Sequence, residues 1–316
     1  MKTCLDCVPC FLRQSLEAVR GVSEDVRVHE QIVRDVLRMT AELDLERPPP
    51  FVAQAIHRRL RELTGVKDPY QAAKRHFNRM AMDALPALAG IVRQAEDPLL
   101  AAAKCAVVAN AIDMGITSAI TEDGLRAALS GSPAEPVQGE WERFREVAAG
   151  ATDILYLADN AGEIAVDRLV VEELGPERVT LAVRGAPVLN DATVADAREV
   201  GMLDLVEVID NGSDAPGTIL ADCSESFRRR FDRAQLIIAK GQGNFETLSG
   251  TEKRIAFWSK VKCPVVSREV GLPVGAHALL PPASGRSWRG ASPLSVRPAG
   301  RARRPRPPRR PSRHTP

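Results

Sequence analysis

Apolar residues recur every three to four positions through the first part of the chain. After about residue 150 they gather into short continuous runs separated by polar and glycine-rich turns. The first rhythm predicts helices. Phe11, Leu12, Leu16 and Val19 share one stripe of Cys10–Val19, and Val28, Ile32, Val33, Val36 and Leu37 share one within Asp25–Leu43. Pro48-Pro49-Pro50 interrupts the pattern, which resumes over Phe51–Leu63. Asp68-Pro69-Tyr70 has the capping aspartate and first-turn proline of a helix start. The pattern predicts a strongly apolar helix over 98–112, with Leu99, Leu100, Ala103, Val107 and Val108 as buried candidates.

The second rhythm predicts strands at 153–158, 178–183, 205–209, 235–239 and 264–267, with helices at 161–175, 191–200, 218–233 and 244–260. Such alternation implies a mainly parallel, Rossmann-like sheet covered on both faces, an α/β/α sandwich preceded by a helical subdomain. The expected organisation is therefore a helical part over 1–130, a connector at Ser130–Pro136, an α/β domain over 150–280 and a tail over 281–316. Ala276–Leu280 is read as a last strand.

Charge separates the tail from the rest. The chain carries a formal +2, but ten arginines and no acidic residue lie between Pro281 and Pro316, so the remainder carries −8. Nine of those thirty-six residues are proline; Pro305–Pro311 cannot build a helix or central strand, and the low apolar content predicts a disordered tail. Such an arm can neutralise nucleic-acid phosphates without sequence preference, although a solvated extension is the simpler expectation. At 44% hydrophobic and 27% charged the chain is globular, with no apolar run of membrane-spanning length. The N-terminus lacks the apolar core of a signal peptide, and six cysteines do not read as a secreted disulfide framework, which points to the cytoplasm.

Two breaks from apolar run to polar turn carry the chemistry. In an open α/β sheet such breaks mark the carboxyl ends of strands, where ligands bind. Asp159-Asn160-Ala161-Gly162-Glu163 follows one run and supplies adjacent hard oxygen donors suited to a divalent cation. Val188-Leu189-Asn190-Asp191 follows the next strand, so Asp159, Asn160 and Asp191 are expected to converge. Each has a structural alternative: Asp159 or Asn160 can cap a helix with Glu163 in a capping box, and Asp191 can cap 191–200. Lys240-Gly241-Gln242-Gly243-Asn244-Phe245-Glu246 follows another run. Its lysine can neutralise a phosphoryl oxygen, its glycines let backbone approach an anion, and Gln242, Asn244 and Glu246 can bond the rest of a substrate. It is not a nucleotide-triphosphate loop, since no Gly-Lys-Ser/Thr follows. Asp210-Asn211 repeats the Asp-Asn pair without the helix start and ranks below it. Cys4, Cys7 and Cys10 have two Cys-x-x-Cys spacings, compatible with a second metal, a redox pair or buried inert thiols.

Taken together, several stretches resemble the damage-control phosphatases, the acidic-residue-methyltransferase-like metal-binding domain, in their compact microbial branch. They are Cys4–Gln14, Asp68–Tyr70, Ala109–Gly115, Asp159–Glu163, Val188–Thr193, Gly212–Gly217, Lys240–Glu246 and Lys262–Val266, in family order over about residues 1–280. The resemblance implies metal-dependent hydrolysis of small phosphorylated metabolites, with Mn²⁺, Co²⁺, Ni²⁺ or Mg²⁺ as cofactor. It assigns the metal ligands to Asp159, Asn160 and Asp191 and the family lysine to Lys240. Asn110 and Asp113 match a further motif and, three residues apart on a helix, can face the site, or else cap the helix end near Gly115. The Arg/Pro tail departs from the family pattern. A methyltransferase reading needs a glycine-rich turn after the first strand and an acidic end to the second; Asp159–Gly162 is glycine-poor, and the second strand ends in Arg184.

Overall fold

Strands β2 (Ile154–Leu157) and β5 (Leu236–Lys240) lie side by side in a seven-stranded sheet, in register from Ile154 opposite Leu236 to Leu157 opposite Ala239. The structure is a computed structural model that describes residues 1–110, 127, 131–132 and 135–283. From β2 the chain adds β3 (Val179–Val183) and β4 (Glu207–Asp210) on one side, then crosses back to add β5 and β6 (Ile255–Lys260) on the other. These five strands are parallel. Beyond β6, β7 (His277–Ala283) runs antiparallel, and β1 (Val137–Gln138) pairs with it at the edge. The direction of winding thus reverses between β2 and β5, and the crevice outside their carboxyl ends is where such sheets bind ligands.

Every residue of β2, β3 and β5 is buried, as continuous runs covered on both faces require. One face is covered by α4 (Gln71–Gln94), α5 (Pro98–Ala109), α6 (Trp141–Gly150), α7 (Glu163–Leu174) and α8 (Val194–Glu199). The other is covered by α9 (Glu225–Arg233), α10 (Gln242–Leu248) and α11 (Pro264–Val270), completing the α/β/α sandwich. The N-terminal helices divide between two cores. Phe11, Val19, Ile32, Val36, Val52, Ile56 and Leu60 of α1 (Cys7–Arg20), α2 (Val26–Ala41) and α3 (Pro49–Thr64) pack together, whereas α4 and α5 belong to the sheet's own core.

Four expected elements differ. The helix expected over 218–233 starts only at Glu225, where Ser224 caps it. The helix expected over 244–260 stops at Leu248, and Ile255–Lys260 is a strand. A short apolar run such as Ile255-Ala256-Phe257-Trp258 fits a buried strand and a buried helix equally by periodicity, and its place between β5 and β7 decides the matter. The strand expected at 264–267 is instead the start of α11, with Pro264 in its first turn and Gly271 at φ 71° as its C-cap. The last strand continues through Pro281 and Pro282 to Ala283, three residues into the segment assigned to the tail. Proline is tolerated there because β1 pairs only with His277 and Ala278, and the ladder to β6 shifts register between Ile255 and Phe257. β1 and α6 occupy a stretch the sequence pattern left unassigned. The rest of the tail lies outside the described residues.

Candidate active site

After β2 the chain is laced to the loop that follows β3. The Ala192 amide donates to the Asp159 carbonyl and the Ala161 amide to that of Asn190, both at 2.8 Å, and Asn160 and Asp191 form an isolated bridge. This pairing brings Asp159, Asn160 and Asp191 together, all buried. None of them caps a helix. The N-cap of α7 is Gly162, and α8 is capped by Thr193 in a capping box with Asp196. The simpler roles are thus taken by other residues. Gly162, at φ 78°, lies so close to Phe77 that an added Cβ would sit 2.9 Å from the Phe77 Cβ.

Four amide and carboxylate groups interlock here. The Asn110 amide nitrogen donates to Asp159 Oδ2 at 2.9 Å and Glu163 Oε2 at 2.8 Å, and that of Asn160 donates to the same two oxygens at 2.8 and 2.9 Å. Asn160 thereby keeps its carbonyl oxygen for another partner. Burial, followed by the charges of Asp191 and Glu163, pushes the Asp159 carboxyl well above the usual carboxylate range. Lys262, half-buried, acts in the opposite sense on Asp159.

Lys240 does not face this opening. Its Nζ is fully buried, 2.7 Å from Glu163 Oε1, 2.5 Å from Asp167 Oδ1 and 3.2 Å from the Ala106 carbonyl. The expected contact with a phosphoryl oxygen is therefore replaced by an internal ion pair. Burial opposes its charge, yet Asp167 and Glu163 outweigh burial and hold the ammonium above its ordinary value. Burial likewise raises Asp167 to about 6, despite Lys240 and the Tyr156 hydroxyl, which donates to it at 2.7 Å.

The glycine turn after Lys240 touches the acidic corner directly. Gly241 has φ 80°, and a Cβ there would lie 1.9 Å from Asp159 Oδ2. A Cβ on Gly243 would meet the Pro216 carbonyl oxygen at 2.1 Å, so the turn also abuts the Gly212–Thr218 loop. Asn244 is consumed by structure: its nitrogen donates to the Lys240 carbonyl at 2.8 Å, and its oxygen accepts from Thr218 and Arg184. Gln242 donates to Glu246 at 2.8 Å, and burial raises the Glu246 carboxyl to about 7.

Arg184, which follows β3, stands inside the site. It is 2% exposed, its Nε donates to Asp191 Oδ2 at 2.6 Å, and its Nη2 lies 3.7 Å from Asp159 Oδ1. Asp167, on the same face of α7 as Glu163, is the other residue the sequence did not single out. Asp210-Asn211 serves its loop: Asp210 accepts from the Gly212 amide, and buried Asn211 from those of Gly185 and Ser213. That loop is also held from α3, where Gln54, Arg58 and Arg61 all bond Asp214. Cys4 and Cys7 Sγ are 3.7 Å apart, while Cys10 Sγ faces Arg13. Burial raises Cys7 to about 12 and Cys10 above its ordinary value. Asp113 lies outside the described residues.

Whether these groups suit a cation is a matter of donors and charge. Among the described residues no three His, Cys, Asp or Glu side chains form a metal-ready group, the cysteines included. The corner instead offers two carboxylates and an amide oxygen. Asp159, Glu163, Asp167 and Asp191 are matched within this buried cluster by the two cations Arg184 and Lys240, an excess of two acidic groups. A hard divalent cation suits that donor set and that deficit.

A mainly parallel α/β sandwich with an acidic, amide-braced corner at its switch point is the arrangement at which doubly wound sheets bind small ligands. Family comparison narrows this. The model of the damage-control phosphatase ARMT1-like domain matches residues 3–278. A damage-control phosphatase of Archaeoglobus fulgidus is 35% identical over 277 residues, covering 85% of this chain and 95% of its own. A second, from Pyrococcus horikoshii, is 32% identical over 284 residues, covering 87% and 96%. The crystal structure of a DUF89 family protein from Pyrococcus horikoshii superposes with a TM-score of 0.80 at 29% identity, covering 89% of this chain and 99% of that one. The chain belongs to the damage-control phosphatase ARMT1-like family. No helix among the described residues is long and apolar enough to cross a membrane.

Proposed function

We propose that the protein is a divalent-cation-dependent phosphomonoesterase acting on small phosphorylated metabolites, such as sugar phosphates or phosphorylated cofactor fragments. The observation that carries this reading is the convergence of Asp159, Asn160 and Asp191 in an acid-rich corner against the Gly241 turn. These three residues would hold the cation, be it Mn²⁺, Co²⁺, Ni²⁺ or Mg²⁺. When bound, it supplies charge neutralisation and Lewis acidity at a phosphoryl oxygen.

The protein's own groups do the positioning. Asn110 and Asn160 fix Asp159 through their amide nitrogens, and Glu163 receives the same two amides. Lys240 anchors Glu163 from below, so it acts through the acidic corner and not on substrate. The missing side chain at Gly241 leaves room for the Asp159 carboxylate against the turn. Gln242 and Glu246 border that turn and suit the polar remainder of a metabolite.

Assay of chelator-stripped protein with an aryl phosphate, with and without each cation, tests the reading. Turnover that requires cation and disappears in Asp159→Ala and Asp191→Ala is expected. Cation-independent turnover, or none with any cation despite a folded protein, would overturn it.

A further inference from the structure

Among the described residues of the site, two buried donors lack an acceptor, Asn190 Nδ2 and Arg184 Nη2, and only the second carries charge. Arg184 is held by its backbone, since its amide donates to the Ala192 carbonyl at 2.9 Å and it bridges Thr193. Gly185 follows, where a Cβ would come within 2.6 Å of the Gly212 backbone. The side chain is equally constrained, with Nε on Asp191 at 2.6 Å and Nη1 on Asn244 at 3.3 Å. Nη2 is buried and makes no hydrogen bond. Asp159 Oδ1, at 3.7 Å, is within ion-pair range but beyond hydrogen-bond reach.

Buried guanidinium N–H groups are rarely left unpaired, because their desolvation is then uncompensated. An orphan donor in a site usually awaits the acceptor a ligand brings. Its neighbours here are the two carboxylates of the acidic corner, so the ligand atom must be an oxygen drawn to that corner despite its negative charge. A phosphoryl oxygen meets that description, and the planar guanidinium fork matches its geometry.

We propose that Arg184 is a substrate-binding residue whose Nη2 donates to a non-bridging phosphoryl oxygen while Nε remains on Asp191. The proposal rests on the phosphatase reading given above and adds the group that recognises the phosphate. Because one guanidinium would then touch both the anion and Asp191, phosphate affinity should depend on this residue even where cation affinity does not.

The test is calorimetric titration of inorganic phosphate into the Mg²⁺-saturated full-length protein, for wild type, Arg184→Gln and Arg184→Lys, with Mg²⁺ affinity measured separately. Arg184→Gln should weaken phosphate binding at least tenfold and leave Mg²⁺ binding unchanged or tighter, since a competing positive charge has gone. Arg184→Lys keeps the charge without the fork, and should bind phosphate several-fold more weakly than wild type. Wild-type phosphate affinity in a folded Arg184→Gln, or no phosphate binding by the wild type, overturns the proposal. If Arg184→Gln does not fold, wild-type affinity in Arg184→Lys overturns it equally. Loss of phosphate binding in the variants, together with a wild type that hydrolyses no phosphoester, would support the anion contact and reject the enzymatic reading alone.

Discussion

Lys240 and Glu163 form an ion pair with no solvent exposure on either side chain, Nζ to Oε1 2.7 Å, directly beneath the acidic corner. Removing one partner of such a pair leaves the other charged and buried. Lys240→Met should therefore cost about 3–5 kcal/mol of stability, read from urea denaturation. Adding Glu163→Gln and Asp167→Asn should restore part of that loss, because the stranded carboxylates are then gone. A lysine that contacted only substrate would lower turnover and leave the unfolding midpoint in place.

Gly241→Ala places a methyl group on Asp159, where a Cβ would stand 1.9 Å from Oδ2 at a φ of 80°. Displacing that carboxylate should reduce turnover roughly 100-fold, as misplacements of about 1 Å do. Gly250→Ala, with nothing within 4 Å of its Cβ, is the matched control and should retain activity. Steady-state kinetics on both variants makes the comparison.

Glu246 gives the protein a specific pH dependence. Burial raises its carboxyl from 4.5 to about 7, so the folded state keeps a proton that the unfolded chain releases. Its contribution is fullest below the unfolded value and is lost as pH rises through that window. The shift corresponds to roughly 3 kcal/mol at 1.36 kcal/mol for each pH unit. Denaturation midpoints of wild type and Glu246→Gln, compared from pH 4.5 to 7.5, should diverge in the variant's favour as pH rises. Parallel curves would contradict this.

Cation binding should also appear as stability. A ligand at one hundred times its dissociation constant adds about 2.7 kcal/mol, so thermal melts of stripped protein should shift upward on adding Mn²⁺. Asp159→Asn and Asp191→Asn should lose most of that shift. A cation effect that survives in both would place the ion elsewhere.

The convergence of Asp159, Asn160 and Asp191 was legible because two apolar runs each break at oxygen donors, and parallel strands put such breaks at one edge. The inward orientation of Lys240 was legible too, from strand alternation. Side chains alternate along a strand, and Lys240 lies two residues after Ile238, whose face packs with Ala106, Ile164 and Val170. Arg184 and Asp167 gave no signal of their own, since one closes an apolar strand and the other interrupts an apolar helix. Their partners, Asp191 and Lys240, come from other elements that only the fold brings near. The exchange of helix and strand at 255–270 has a different origin: with four to six apolar residues, packing neighbours outweigh local preference.

The α1–α3 bundle keeps a core of its own and yet reaches the loop beside the site through two acidic residues, Asp214, gripped by Gln54, Arg58 and Arg61, and Asp222, bonded by Gln54 and paired with Arg58. Arg61 also donates to the Pro187 carbonyl at 2.9 Å, in the loop that leads to Asp191. The bundle is thus joined to the sheet by a keyed set of polar contacts, and its N-terminal end adds two more, from the Met1 amine to the Glu246 carbonyl and from Arg268 to Asp6. A chimera that exchanges it must carry Gln54, Arg58, Arg61, Asp214 and Asp222 as one set, or the loop leading to Asp191 loses its anchor.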